Sequence, residues 1–192
     1  MDTMLAELGF KDVVHYKSGT EGYPKCLFDA NIDILTQYMN EPILLLEDDV
    51  EFTGVSEFEF VHGADAIYLG LSQCASHPTG NYNEGQFQVG AYSATQVRVY
   101  NMLGTHAILY ITPEYKRAVI NKLRRSSGHM DIAITRIQPT YRVLANKQPS
   151  FFQSANFNAP GHDDANTRFH IISPTHRSPQ PHIFTLKSLF RA

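Results

Sequence analysis

The chain has 192 residues and a net charge of −3, with 43% apolar and 11% aromatic residues. That is enough apolar material to bury a sizeable core, and it excludes a disordered chain. The slightly acidic balance supplies no global basic field for nucleic acid or an anionic membrane.

Cys26 and Cys74 are the two cysteines and form no Cys-x-x-Cys pair. No disulfide framework or zinc knuckle follows from them, and both read as packing residues. Residues 1–10 lack the basic start and apolar core of a signal peptide. No apolar run approaches the roughly 20 residues needed to span a bilayer. The expectation is a soluble, cytoplasmic protein without a transmembrane segment. Residues 1–192 read as a single domain, with a core to residue 153 and a polar C-terminal segment over 154–192.

In chain order, residues 1–8 carry Met1, Met4, Leu5 and Leu8 on one helical face, with Gly9 as the C-cap. Residues 13–16, Val-Val-His-Tyr, read as a short strand, and 17–23 as a polar loop. Pro24 opens a helix in which Leu27, Phe28, Ile32, Leu35 and Met39 recur at helical spacing. Residues 43–46 are a continuous apolar run, the pattern of a strand buried on both faces of a parallel sheet. Residues 66–71 form a second such strand, and 72–97 a long polar, glycine-containing loop. Strand character returns over 106–111. Thr112-Pro113-Glu114 starts a helix running to about Arg125 and stopping near Gly128. Residues 130–137 predict another helix, and 141–145 and 150–153 short strands. The tail ends in Leu186, Leu189 and Phe190, the pattern of a small docking helix. Alternating helices and buried strands predict an α/β fold, with a central, mostly parallel sheet flanked by helices.

Glu47-Asp48-Asp49 follows the apolar run at 43–46 directly. Adjacent carboxylates repel, so such a cluster serves a cation, a proton or a solvated turn. At the carboxyl end of a strand in an α/β sheet, carboxylates can hold Mg²⁺ or Mn²⁺ and neutralise a departing diphosphate. Acids after a strand also simply solvate a turn, and spacing alone does not separate the two.

The stretch is similar to the EDD signature of family 25 glycosyltransferases, the lipopolysaccharide and collagen galactosyltransferase group. Later segments match in order. Asp65 to Gly70 resembles an aspartate-containing strand ending in Tyr-x-Gly. Gly104-Thr105-His106-Ala107 resembles the strand that feeds a helix. His129-Met130-Asp131 resembles a short Val-Asp element, and Pro149 to Gln153 a Pro-x-x-x-Gln strand. The likeness spans roughly residues 20–155. It implies a GT-A-like fold binding a nucleotide-sugar donor, most readily a UDP-sugar, through Mn²⁺ or Mg²⁺. On that reading Asp49 is a direct metal ligand, while Glu47 and Asp48 contact the ribose or metal-bound water. Thr105 and His106 face the donor, and Asp131 is the general base. The base would deprotonate the hydroxyl of a saccharide or other acceptor in an inverting displacement.

Two departures are visible. The family's first strand is unmatched, and Asp29-Ala30 stands where the family has Ser-His after Cys26.

Residues 161–170 offer His162, Asp163, Asp164 and His170, residue types that ligate metals, although Pro160-Gly161 also signals a plain turn. GT-A enzymes often take a further ligand from their C-terminal segment, so the resemblance makes His162 and Asp163 metal candidates. A histidine such as His106 on an apolar strand is also commonly just packed. The tail cations His170, His176, Arg177, His182, Lys187 and Arg191, and the Arg124-Arg125 pair, read as solvated or dipole-favoured charges. They leave nucleic acid a disfavoured partner. The rival functions are glycosyl transfer to a modified DNA base hydroxyl and a catalytically inactive GT-A-like binding module.

Overall fold

The computed structural model describes residues 2–10, 12–17, 22, 24–72, 75, 88–153 and 183–185. Its helices are α1 (Asp2–Leu8), α2 (Lys25–Gln37), α3 (Pro113–Leu123) and α4 (Met130–Thr135). Its strands are β1 (Ile43–Leu46), β2 (Val50–Phe52), β3 (Glu57–Glu59), β4 (Ala66–Tyr68), β5 (Gln88–Ala91), β6 (Gln96–Asn101), β7 (Ala107–Tyr110), β8 (Val143–Asn146), β9 (Phe151–Gln153) and β10 (Ile183–Thr185).

Six strands form the main sheet in the order β1-β7-β4-β8-β6-β5. Only β4 and β8 are paired in parallel; β1–β7, β7–β4, β8–β6 and β6–β5 are antiparallel. The fold is therefore α/β with a mixed sheet, not a mostly parallel one. Two ribbons accompany it, β2 with β9 and β3 with β10.

Strict alternation explains why the sheet is buried on both sides. Ala66 and Tyr68 of β4, Ile108 and Tyr110 of β7, and Val143 and Ala145 of β8 face one cluster. Helices α2, α3 and α4 cover it with Phe28, Leu35, Tyr115, Val119, Leu123 and Ile134. The intervening Ile67, Ala107, Leu109 and Leu144 face the other cluster, against Leu8, Val50 and Phe151. Buried Lys116 ties α3 to the end of α2 by donating Nζ to the carbonyls of Tyr38 and Glu41. Burial lowers its pKa to about 8.

Several sequence expectations hold. Gly9, at φ 81°, follows α1. The Thr112 hydroxyl caps α3 by accepting from the Tyr115 amide, with Pro113 in the first turn. The same hydroxyl donates to Asp65 Oδ1 at 2.7 Å, and Asp65 Oδ2 accepts from the Arg142 amide. One carboxylate thus joins the starts of β4, α3 and β8.

Others need correction. Residues 13–16 are not a strand: they lie in irregular chain with Val13 and Val14 exposed. Strand propensity without a partner strand does not make a ladder. β1 is only half-buried and, among the described residues, pairs on one side alone. The second strand stops at Tyr68 rather than at residue 71. The end of the expected 72–97 loop holds β5 and the start of β6, a hairpin. Cys26 is half-buried and free. Cys74, His162, Asp163, the tail cations and the expected docking helix lie outside the described residues. No described helix is long and apolar enough to cross a membrane.

Candidate functional site

The strand directions bring the carboxyl ends of β1, β4 and β8 to one edge of the sheet, together with the amino ends of β6 and β7. Glu47 continues β1 by donating its amide to the His106 carbonyl. Asp48 and Asp49 then form the turn that leaves the main sheet and enters β2. The change of sheet is what swings the acids past the sheet edge. Part of the cluster is thus a solvated turn, since Asp48 is exposed; Glu47 and Asp49 are not.

Glu47 Oε1 accepts a 2.5 Å hydrogen bond from Thr105 Oγ1. Burial raises its pKa to about 7, and the negative charges of Asp49, Asp131 and Asp48 push the same way. The Thr105 bond favours the carboxylate and opposes them. Asp49 is also raised, chiefly by burial. Its Oδ2 accepts from Gln153 Nε2 at 2.7 Å, across the β2–β9 ribbon, while its buried Oδ1 has no hydrogen-bond partner among the described residues.

His106 begins this edge of β7 and is 2% exposed, with neither ring nitrogen hydrogen-bonded among the described residues. Burial lowers its pKa to about 4, so the ring is neutral near pH 7. Two glycines make its room. A Cβ on Gly70 would lie 2.0 Å from His106 Nε2, and one on Gly104 would meet Ser72 Cβ at 3.1 Å and His106 Nδ1 at 3.4 Å. Gly104 also has φ +94°, which disfavours side chains independently of space.

Asp131 arrives from the first turn of α4. Burial raises its pKa, against the opposing pull of the Ile132 amide, His129 and the Gly104 backbone. Its Oδ1 accepts from the Ile132 amide at 2.8 Å. It lies near enough to Glu47 and Tyr68 for its charge to raise both of their pKa values.

Residues 47–49, 105–106 and 131, separated by up to 84 positions, therefore gather at one sheet edge. Gln153, Gly70 and Gly104 complete the surroundings; each lies in a segment that carries the family resemblance, which assigns none of them a role at the site. The signal for Gln153 is its place at the end of the Pro149 to Gln153 segment.

No group of three or more His, Cys, Asp or Glu side chains among the described residues is arranged to hold a metal ion. The unpartnered Asp49 Oδ1 suits one bond to a hard cation. Further ligands must come from water, a bound phosphate or residues beyond those described. No family model, curated protein or solved structure matches the chain.

Proposed function

We propose that the protein is a metal-dependent glycosyltransferase with a GT-A-like architecture, using a nucleotide-sugar donor. One observation supports this above the rest: Asp49 presents a buried, unpartnered carboxylate oxygen beside Glu47, on the edge that also carries Asp131. A bound Mn²⁺ or Mg²⁺ would neutralise the diphosphate as it leaves. Asp49 holds it, Glu47 and Asp48 orient ribose or water, and Thr105 and His106 line the donor side.

Asp131 takes the proton of the acceptor hydroxyl. The oxygen then attacks the anomeric carbon, a new carbon–oxygen bond forms, and the bond to the diphosphate breaks with its electron pair on the leaving oxygen. One displacement inverts the anomeric centre. Burial raises the basicity of Asp131 in the direction a general base near neutral pH requires. Neutral His106 adds no positive charge that would lower it.

The test is a panel of UDP-, GDP-, CMP- and dTDP-sugars with Mn²⁺ and a pool of saccharide acceptors, followed by acceptor-dependent release of free nucleotide. Metal-dependent release from one donor, lost in Asp131→Asn, supports the reading. Release from none at any metal concentration refutes it. A catalytically inactive binding module is the second reading, favoured by the lack of a three-ligand group among the described residues. It predicts nucleotide binding without release.

A further inference from the structure

Gln153 ends β9 and stands opposite Val50, the residue that follows Asp49. The ribbon that makes this pairing is anchored on both sides. Thr53 donates its amide to the Ser150 carbonyl at 2.9 Å and its hydroxyl to the Pro149 carbonyl at 2.7 Å. Beyond β9, the Leu69 carbonyl accepts from the amides of Ser150 and Phe151. Fully buried Phe151 packs into the core beside Phe52, their rings tilted at 54°. A one-residue slip of β9 would bring Phe152 opposite Val50 and turn every side chain of the strand to the other face. The register therefore fixes which side chain reaches the Asp49 carboxylate.

That side chain is a neutral amide. Gln153 Nε2 donates to Asp49 Oδ2 at 2.7 Å, while the buried Oδ1 has no hydrogen-bond partner among the described residues. An amide donor fixes the rotation of the carboxylate without cancelling its charge. No cationic side chain among the described residues pairs with Asp49. One oxygen is engaged, and the other is left to a ligand.

We propose that Gln153 is a positioning residue: by holding Oδ2 it presents Oδ1 of Asp49 to the divalent cation as a single-oxygen ligand. The proposal rests on the glycosyltransferase reading for the cation, and on the ribbon geometry for the choice of oxygen. A single oxygen suits Mn²⁺ or Mg²⁺ in an octahedral shell, whereas Ca²⁺ readily takes both oxygens of one carboxylate. Gln153 thus also biases the site toward the smaller ions. Hydrogen bonds that orient a metal ligand in this way are worth about 10–100-fold in metal affinity.

The experiment follows Tm as Mn²⁺ or Ca²⁺ is titrated at a fixed excess of UDP, GDP, CMP or dTDP in turn. Wild type, Gln153→Met, Gln153→Lys and Asp49→Asn are compared. Methionine keeps the length of the side chain and removes the donor. Gln153 is half-buried at a strand end, so both variants should fold, and the metal-free Tm verifies it. In Gln153→Met the Mn²⁺ midpoint should rise at least about tenfold, with a smaller change for Ca²⁺. Gln153→Lys keeps a donor for Oδ2 but sets a positive charge beside the ion, so its Mn²⁺ response should vanish. An unchanged Mn²⁺ midpoint in either variant, or equal weakening of Mn²⁺ and Ca²⁺ in Gln153→Met, overturns the positioning role. Loss of the response in Asp49→Asn alone would then leave the transferase reading standing without it. No Mn²⁺ response in wild type with any nucleotide overturns that reading and the proposal together.

Discussion

Thr105 Oγ1 reaches Glu47 Oε1 at 2.5 Å, joining the residue before His106 to the residue after β1. The bond carries the one described side-chain hydrogen bond that holds Glu47 toward its charged form. Thr105→Val keeps the shape and removes the donor. Glu47, already raised to about 7, should then titrate at higher pH. A carboxyl ¹³C titration checks this, and an unchanged midpoint would contradict it. Stability should fall by about 1–3 kcal/mol, the usual penalty for a buried acceptor left unpaired.

Gly70→Ala tests the packing of His106. The new Cβ would lie 2.0 Å from Nε2, so the ring must move or the strand must shift. Overpacking of this kind costs about 1–3 kcal/mol. His106→Ala restores space, so the double variant should be more stable than the sum of the single losses. Strict additivity in denaturant melts would show that the two residues do not share a site.

Acid stability should report His106 directly. Its pKa in the fold is lowered to about 4 by burial, so the unfolded chain takes up a proton first. The folded state therefore loses stability as pH falls through 6.5 toward 4, by about 3 kcal/mol in all. Glu47, raised above its ordinary value to about 7, acts in the opposite sense over the overlapping range. Wild type and His106→Gln should therefore diverge in urea midpoint between pH 6.5 and 4, with the variant less acid-sensitive. Parallel pH profiles would contradict the buried neutral ring.

Asp131→Asn separates chemistry from binding. Asparagine can still accept from the Ile132 amide, so the start of α4 is kept. Transfer should fall at least about 100-fold, as for loss of a general base, while nucleotide affinity changes little. Loss of nucleotide affinity with the fold intact would place Asp131 among the binding groups instead.

How much of this was legible in the sequence depends on where the physics is local. The start of helix α3 was, because Thr112 and Pro113 are start signals whose action needs no distant partner, although the helix ends at Leu123, short of Gly128. Ile43–Leu46 was legible as a strand but not as the end of a mixed sheet. Composition records burial, whereas neighbour and direction are set by chain segments far away. The hairpin of β5 and β6 was missed because Gln96, Arg98 and Asn101 look like loop. Gln96 is nevertheless fully buried, held by Asn146 Oδ1 and the Glu59 carbonyl. The alternation of Val97 and Val99 was the available signal. At the site, the acids at 47–49 announced themselves by type, whereas Asp131 entered only through the family resemblance. The roles of Gly70 and Gly104 did not announce themselves, because a glycine's function here is the space it leaves for a ring placed by another strand.

The measurement that tests the central claim most directly is a thermal shift of wild type and Asp49→Ala with nucleoside diphosphates, with and without Mn²⁺. Ligand bound to the native state raises Tm by mass action, by an amount equivalent to about 2.7 kcal/mol at a hundredfold excess over Kd. The account predicts a Mn²⁺-dependent rise with one nucleotide in wild type and none in the variant. An equal rise in both proteins, or no rise in wild type with any nucleotide, would contradict a metal-held donor at Asp49.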